Sequence, residues 1–407
     1  MIKKLTREPI SKTPPKVLIE LLPIINVNIQ PDVISWALSQ TKEEQIGTKL
    51  MNNIKQWLDG TKTPTFNQIE DFSRKANIPL GYFFLQAPPV EKIALIDYRT
   101  VDSIELANPS RNLIDIIHEM ENVQEWMKDY RRETGFDVLP LVGSLKGEND
   151  FKHIAEIIRQ DIDLNDSWFE NCKNMSEAFN YVRSLLENCG IVVMLNGVVG
   201  KNTHRALSID EFRAFVMVDE WAPLIFINSA DTQGARLFSL FHEMAHIWLG
   251  QNDLYNDRTN SQKVKPIEVL CNAVASELMV PFEQFLAEWN NFENTDIREK
   301  IISLAKYFKC GESVIARKAY DAKKINYDLY KSVIDDAIEA YREMKENKES
   351  SGGNYYNTMG SRLDGGFVRA LCESINSGRT TYSEAYRLTN TSRKTFSEIA
   401  VRLGGVV

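Results

Sequence analysis

The sequence predicts an α+β protein that is predominantly helical, with one small sheet in its middle. Short apolar runs separated by Gly, Asp and Pro are confined to residues 190–228. Elsewhere the apolar residues recur at helical spacing, as in the stretch 113–133. A chain of 407 residues also exceeds the size at which one hydrophobic core usually stops growing, so we expect two or three domains.

The first segment, residues 1–90, is predicted to form a domain of short helices. Gly60 is placed to end one helix, and Pro64 followed by Thr65 provides a proline stop and an N-cap for the next. The proline cluster in QAPPVEK, residues 86–92, marks a boundary near residue 90.

The rest of the chain is predicted to contain a helical connecting region, a central core and a small C-terminal helical unit. The connecting region covers residues 91–188. The core, residues 189–346, contains three predicted strands, GIVVMLNG, FRAFVMVD and PLIFIN, and helices from about residue 232. The polar stretch NKESSGGNYYN at 347–357 is a predicted linker, and residues 358–407 form the last helical unit.

Composition limits the class of protein. The fractions of hydrophobic residues (43%) and charged residues (26%) are typical of a soluble globular chain. The net charge of −8 provides no overall attraction to nucleic acid or to an anionic membrane. Five cysteines without a CxxC pair argue against a disulfide framework and a thiolate metal site. Without an apolar run near 18 residues or a signal peptide, we expect a cytoplasmic protein with no membrane partner.

The stretch LFSLFHEMAHIWLG, residues 237–250, contains the pattern His-Glu-x-x-His. On a helix, His242 and His246 share one face, so both imidazoles can reach one metal ion. Glu243 is rotated by about 100° from His242, where it can act as a general base beside the metal without ligating it. With five histidines and 56 acidic residues, chance produces this pattern in roughly one such sequence in a hundred. The alternative interpretation is a buried apolar helix that binds no metal.

Two histidines need a third protein ligand to form a catalytic zinc site. No histidine follows His246, so this ligand must be a carboxylate. The candidates are Asp253, Asp257, Glu268 and Glu277. In the predicted helix 266–281, Glu268 and Glu277 are nine residues apart and therefore point to opposite sides. We choose Glu268, because Asn272 lies one turn later on the same face, where it can hydrogen-bond a ligating histidine.

These residues resemble the motifs of the ImmA/IrrE family of zinc metallopeptidases. Most positions of the family pattern E-x-x-A-N-x-F-A-x-E-L-L-M-P recur in EVLCNAVASELMVP at 268–281, and the departures include Cys271 for the usual Ala and Val274 for the usual Phe. The resemblance covers most of the chain. It implies a zincin-like fold, zinc bound by His242, His246 and Glu268, and Glu243 as the general base.

The same resemblance implies a zinc-dependent endopeptidase that cleaves a regulatory protein such as a partner repressor, with an activity that can depend on a trigger. The alternative is a transcriptional regulator or antitoxin that binds DNA or a toxin, with the zinc domain as a scaffold. We expect a peptidase substrate to pair with PLIFIN, residues 223–228, as an edge strand. His204 and Arg205 are candidate donors to the oxyanion that forms during cleavage.

The N-terminal stretch 54–84 resembles the Cro/repressor-like (XRE) helix-turn-helix domains. The resemblance implies a recognition helix within residues 51–57. The side chains that could contact base edges there are Asn52, Asn53, Lys55 and Gln56. Residues 33–86 contain six basic and five acidic residues, and the resulting net charge of +1 is weak for a DNA-binding domain. A helical domain that contacts a protein is an equally consistent interpretation.

Overall fold

The computed structural model describes residues 25–41, 43–91, 109–255, 266–292, 296–346 and 355–405. Over these ranges the protein consists mainly of helices and contains one four-stranded sheet, which confirms the predicted fold class. The chain divides into two compact units, residues 1–91 and 92–407. No helix in the described ranges is both long enough and apolar enough to cross a membrane.

The N-terminal unit is a small helical bundle. Its elements are α1 (Pro31–Ser39), α2 (Glu43–Ile46), α3 (Thr48–Leu58), α4 (Phe66–Ala76) and a 3-10 turn (Leu80–Phe84). Thr65 caps α4 as predicted, because its hydroxyl accepts from the Gln68 amide while the Gln68 side chain accepts from the Thr65 amide. Ile54, Trp57 and Phe72 are among the buried residues of its core.

The second unit begins with helices, continues through the sheet and ends with helices. Before the sheet lie α5 (Arg111–Thr134), α6 (Phe151–Asp161), a 3-10 turn (Trp168–Asn171) and α7 (Met175–Asn188). The sheet region contains β1 (Val192–Asn196), β2 (Ala214–Met217), β3 (Leu224–Asn228), α8 (Gln233–Leu249) and β4 (Asp253–Tyr255). The following helices are α9 (Pro266–Met279), α10 (Phe282–Asn291), α11 (Ile297–Tyr307), α12 (Glu312–Asp321) and α13 (Tyr327–Glu346). The last helices are α14 (Tyr355–Arg362), α15 (Gly365–Asn376), α16 (Tyr382–Leu388) and α17 (Arg393–Arg402).

The strands are arranged in the order β1-β3-β2-β4, with β1 parallel to β3 and β2 antiparallel to both β3 and β4. The prediction that residues 223–228 form an edge strand is therefore wrong. All five residues of β3 are buried, and the strand hydrogen-bonds to a neighbour on each side. A strand that is apolar at every position is typical of the middle of a covered sheet, and this should have argued against the edge. In the described sheet, β4 is the outermost strand beside β2.

The sheet separates two hydrophobic layers. Alternate strand residues such as Val193 and Ile225 pack against α8 and its neighbouring helices. The intervening residues, such as Met194 and Phe226, pack in one cluster with α5 and with side chains of the last helices, including Phe367. The helices beyond residue 355 therefore share a core with the sheet. The first of them, α14, begins inside the stretch predicted as a linker.

Polar contacts from the last helices also cover the outer edge of β1. Arg183 of α7 donates to the carbonyls of Val193 and Leu363, at 2.7 and 2.5 Å. The Asp364 carboxylate accepts from the Val193 amide at 2.9 Å and caps α15 through the Phe367 amide at 2.7 Å. Burial raises the pKa of Asp364 to about 7. These contacts satisfy backbone groups that a sheet edge would otherwise leave open.

Candidate metal centre

The helix that carries His-Glu-x-x-His, α8, is held at both ends by local contacts. Thr232 caps its first turn by accepting from the Ala235 amide. Gly250 ends it with a φ of 68°, and a Cβ there would lie 3.1 Å from the Cα of Gly143. The amide of Gly143 donates to the Ile247 carbonyl, which satisfies part of the helix's C-terminal end. The positions of both histidines are therefore set by a helix with defined ends.

Four side chains converge beside this helix, namely His242, His246, Asp253 and Glu268, and each offers a ligand atom within 4.8 Å of the others. The two histidine Nε2 atoms are 3.2 Å apart. Glu268, in the first turn of α9, places Oε2 3.3 Å from Nε2 of His242 and Oε1 3.8 Å from Nε2 of His246. The structure thus brings together all three residues predicted to bind metal, and adds Asp253.

The spacing of these atoms fits a single zinc ion. Zinc bonds of about 2.0–2.1 Å in a tetrahedron separate the ligand atoms by about 3.4 Å. The separations from 3.2 to 3.8 Å among His242, His246 and Glu268 bracket that value. Two imidazoles with carboxylate oxygens are also a donor set that zinc prefers. The residues present therefore suit the metal.

Asn272 sets the orientation of one imidazole. Its Oδ1 lies 3.0 Å from Nδ1 of His242, one turn after Glu268 on α9. An amide oxygen can only accept, so Nδ1 carries the hydrogen and Nε2 presents its lone pair to the cluster. Burial lowers the pKa of His242, but the nearby carboxylates of Asp253 and Glu268 outweigh it and the pKa is raised overall. A proton and a metal ion therefore compete for this nitrogen.

Two further side chains adjoin the cluster without belonging to it. Glu243 follows His242 on α8 and is completely buried. Cys271 lies on α9 between Glu268 and Asn272, and burial raises the pKa of its thiol well above the ordinary value. Zinc binds the thiolate form of cysteine, so this shift disfavours Cys271 as a ligand.

The other two carboxylates that the sequence offers as a third ligand, Glu277 and Asp257, are not part of the described cluster. Glu277 faces away from the histidines, as its spacing from Glu268 predicts, and its Oε2 lies 2.8 Å from Nζ of Lys318. Its other oxygen accepts from the Phe282 amide at 3.0 Å. Asp257 lies outside the described residues.

The predicted oxyanion donors have other surroundings. His204 is exposed. The Arg205 guanidinium lies 2.7 Å from the Asp115 carboxylate, and its Nε donates to Asn112 at 3.0 Å. These contacts tie the loop that follows β1 to α5. They give Arg205 a structural role that its position in the sequence does not reveal.

The predicted DNA-contacting residues lie on α3. Asn52 and Lys55 are exposed, together with Lys49 one turn earlier. Asn53 and Gln56 are half-buried, and Oε1 of Gln56 is buried inside the unit. The exposed face of α3 is therefore made chiefly by Lys49, Asn52 and Lys55.

The sequence offers Asp253 as a candidate ligand but favours Glu268, whereas the structure brings both carboxylates to the cluster. The residue begins β4, which pairs Asp253 with Val216 of β2. A three-residue strand has too few positions to show a period, so its pairing could not be deduced locally. The distance of seven residues from His246 was the available signal, since a short loop can return the chain to the same helix end.

Comparison with known families agrees with this geometry. Residues 186–320, which contain the whole cluster, match the family described as the IrrE N-terminal-like domain, a family of zinc metallopeptidases. Residues 363–402 match a domain of unknown function, DUF8813. No curated protein and no solved structure matches the chain. The family matches do not include the N-terminal unit.

Proposed function

We propose that this protein is a zinc-dependent endopeptidase that cleaves a regulatory protein, such as a partner repressor. The observation that carries the proposal is the convergence of His242, His246 and Glu268 beside Glu243, within the segment that matches a metallopeptidase family. The burial of two histidines and a glutamate in one helix is costly unless they have a function or a compensating partner.

In this proposal His242, His246 and Glu268 hold the zinc ion, and Asn272 keeps His242 in the tautomer that can bind it. Zinc bound there would supply Lewis acidity for the hydrolysis of a peptide bond. Glu243 accepts the proton of the attacking water and delivers it to the departing amine. The buried site around Glu243 excludes bulk solvent, which strengthens its electrostatic interactions.

We propose β4 as the strand that aligns the substrate, in place of β3. It is the edge strand beside β2 in the described sheet, and its first residue, Asp253, belongs to the cluster. An extended peptide that pairs with β4 by β-augmentation would run past the histidines. The specificity would then come from side-chain pockets along that path.

The test is a search for new protein N-termini by mass spectrometry. Lysate of the source cell receives zinc and either the wild-type protein or the Glu243→Gln variant. We expect a product that forms only with the wild type, while both proteins bind zinc equally. Identical sets of N-termini from a variant and a wild type that both hold zinc would reject a peptidase that is active without a trigger.

A second candidate function, a regulator or antitoxin that binds DNA or a toxin, is supported by the exposed face of α3. Lys49, Asn52 and Lys55 lie there within two turns, in a pattern suited to phosphate and base contacts. A gel-shift assay in increasing salt tests it. Each phosphate-contacting lysine replaced by alanine should reduce the slope of log affinity against log salt by about 1.

A further inference from the structure

We propose that Asp253 is a fourth protein ligand of the metal, so that the resting centre is closed and opens only when Asp253 withdraws. This inference rests on the metal site of the proposed function. Catalytic zinc sites keep one coordination position open, whereas four protein ligands are the mark of structural sites. The proposal therefore adds a latent state to the peptidase.

The Asp253 carboxylate lies about as close to the two histidine Nε2 atoms as the Glu268 carboxylate does. Oδ2 of Asp253 lies 3.6 Å from Nε2 of His246 and 3.9 Å from Nε2 of His242. The corresponding oxygens of Glu268 lie 3.8 and 3.3 Å away. Both carboxylates thus approach both imidazoles to within about 0.5 Å of a tetrahedral edge of about 3.4 Å. A site designed to leave one side open for substrate would keep the second carboxylate at a distance.

Burial and charge support the same conclusion. The Asp253 side chain is 9% exposed and that of Glu268 is 15% exposed, so neither carboxylate is hydrated as a surface group would be. Two buried carboxylates close together repel each other unless a cation lies between them. With two neutral imidazoles, they supply the two negative charges that a divalent ion balances.

The secondary-structure elements that carry the four side chains indicate which side chain can withdraw from the metal. His242 and His246 share α8, and Glu268 lies on α9, which packs against α8 in the core. Asp253 instead lies on β4, a three-residue strand at the outer side of the described sheet. The strand's start is held by the Asn252 side chain, which accepts from the Val218 amide at 2.5 Å. A peptide that adds to β4 would act on the same backbone that carries Asp253, so substrate pairing and ligand release would be linked.

The experiment uses the full chain loaded with cobalt(II), whose visible absorption is stronger in a four-coordinate site than in a five- or six-coordinate one. The wild type is compared with Asp253→Asn, which keeps the size of the side chain but removes its charge, and with Asp253→Ala. Azide is then titrated as a small anion that occupies an open position. Glu268→Gln is the control for loss of an essential ligand.

We expect the wild type to show the strong absorption of a closed site and a weak response to azide. In both Asp253 variants the absorption should change, and azide should bind at least about tenfold more tightly. Competition with a chelator should show metal affinity lowered at least about tenfold, as for losses of groups that support a metal site. The loss in Glu268→Gln should be larger.

The inference is overturned if Asp253→Asn matches the wild type in absorption, azide affinity and metal affinity, or if the wild type binds no cobalt. The metal-free variants are compared by circular dichroism; if Asp253→Ala does not fold, Asp253→Asn alone decides. Failure of the peptidase is a separate result. A shifted spectrum in Asp253→Asn, with no cleavage by the wild type or by the Asp253 variants, would reject the enzyme and leave the fourth ligand in place. Cleavage by the wild type with identical spectra would keep the enzyme and reject the fourth ligand.

Discussion

Replacing Glu277 by alanine is expected to destabilise the protein without weakening metal binding. Glu277 and Glu268 lie on the same helix, yet Glu277 contacts Lys318 while Glu268 contacts the histidines. The Lys318 side chain is 7% exposed and that of Glu277 12% exposed. Burial lowers the pKa of Lys318, and Glu277 opposes that shift. The variant would therefore leave a buried ammonium group without its counter-charge.

The magnitude follows from this burial. Breaking a buried ion pair by removing one partner costs about 3–5 kcal/mol, because the remaining charge is neither solvated nor paired. The Phe282 ring, 5.9 Å from Nζ of Lys318, recovers only part of this. Replacing both partners by apolar residues, as in Glu277→Leu with Lys318→Met, should recover most of this loss. It should still cost about 1 kcal/mol, because the Phe282 amide loses its acceptor. The double variant is therefore the matched control.

The assays are urea unfolding of the metal-free protein, followed by tryptophan fluorescence, and zinc competition with a chelator. Trp168 is a suitable reporter, since it is fully buried and its Nε1 donates to the Leu278 carbonyl next to Glu277. We expect Glu277→Ala to unfold at a lower urea concentration with unchanged zinc affinity. We expect Glu268→Ala to bind zinc more weakly with an unchanged unfolding midpoint. Zinc lost from Glu277→Ala at an unchanged unfolding midpoint would refute the assigned orientation of α9.

Three further predictions concern Asn272, Glu119 and the exposed face of α3. Asn272→Ala should lower zinc affinity by about 10- to 100-fold, measured by chelator competition, because Nδ1 of His242 loses its acceptor. Burial raises the pKa of Glu119 to about 7 from an ordinary 4.5, so between these values the folded chain holds the extra proton. The free energy of unfolding should therefore fall by up to about 3 kcal/mol as pH rises through that window. In Glu119→Gln this decrease in the free energy of unfolding should be absent. Thermal unfolding with the same pH dependence in the variant and the wild type would contradict the prediction. Lys55→Ala should weaken any DNA binding by a similar factor on all sequences, whereas Asn52→Ala should alter sequence preference; equal behaviour of the two would exclude base contacts by Asn52.

Much of the candidate site could be predicted because it depends on helical periodicity. The spacing of His242 and His246 places them on one face, and nine residues separate Glu268 from Glu277 by a half-turn in phase. The structure shows that phase, with Glu268 at the histidines and Glu277 at Lys318. The α+β class was equally accessible, since strand-like runs occur in one short part of the sequence.

The rest depends on pairings between distant segments. The apolar run of β3 is compatible with any covered position in the sheet and does not specify which strands flank it. The structure places β3 between β1 and β2. Asp253 reaches the cluster through antiparallel pairing with Val216, 37 residues earlier in the sequence. The sequence around Arg205 predicts only a loop, and its ion pair with Asp115 of α5 depends on how the chain folds. Tertiary contacts decided each of these positions, and local patterns do not specify which distant segments pair.

The core shared by the sheet and the last helices also constrains the time course of biosynthesis. Val193 and its partner Asp364 are 171 residues apart, and at about 5–20 residues per second the ribosome needs roughly 10–30 s to deliver the second after the first. During that interval Met194 and Phe226 lack the helices that later cover them, so nascent chains present an apolar surface to chaperones. A transcript or chain interrupted before α15 would yield a product that keeps this surface, which proteases can remove. The second unit would thus be completed only in chains that have been translated through their last helices.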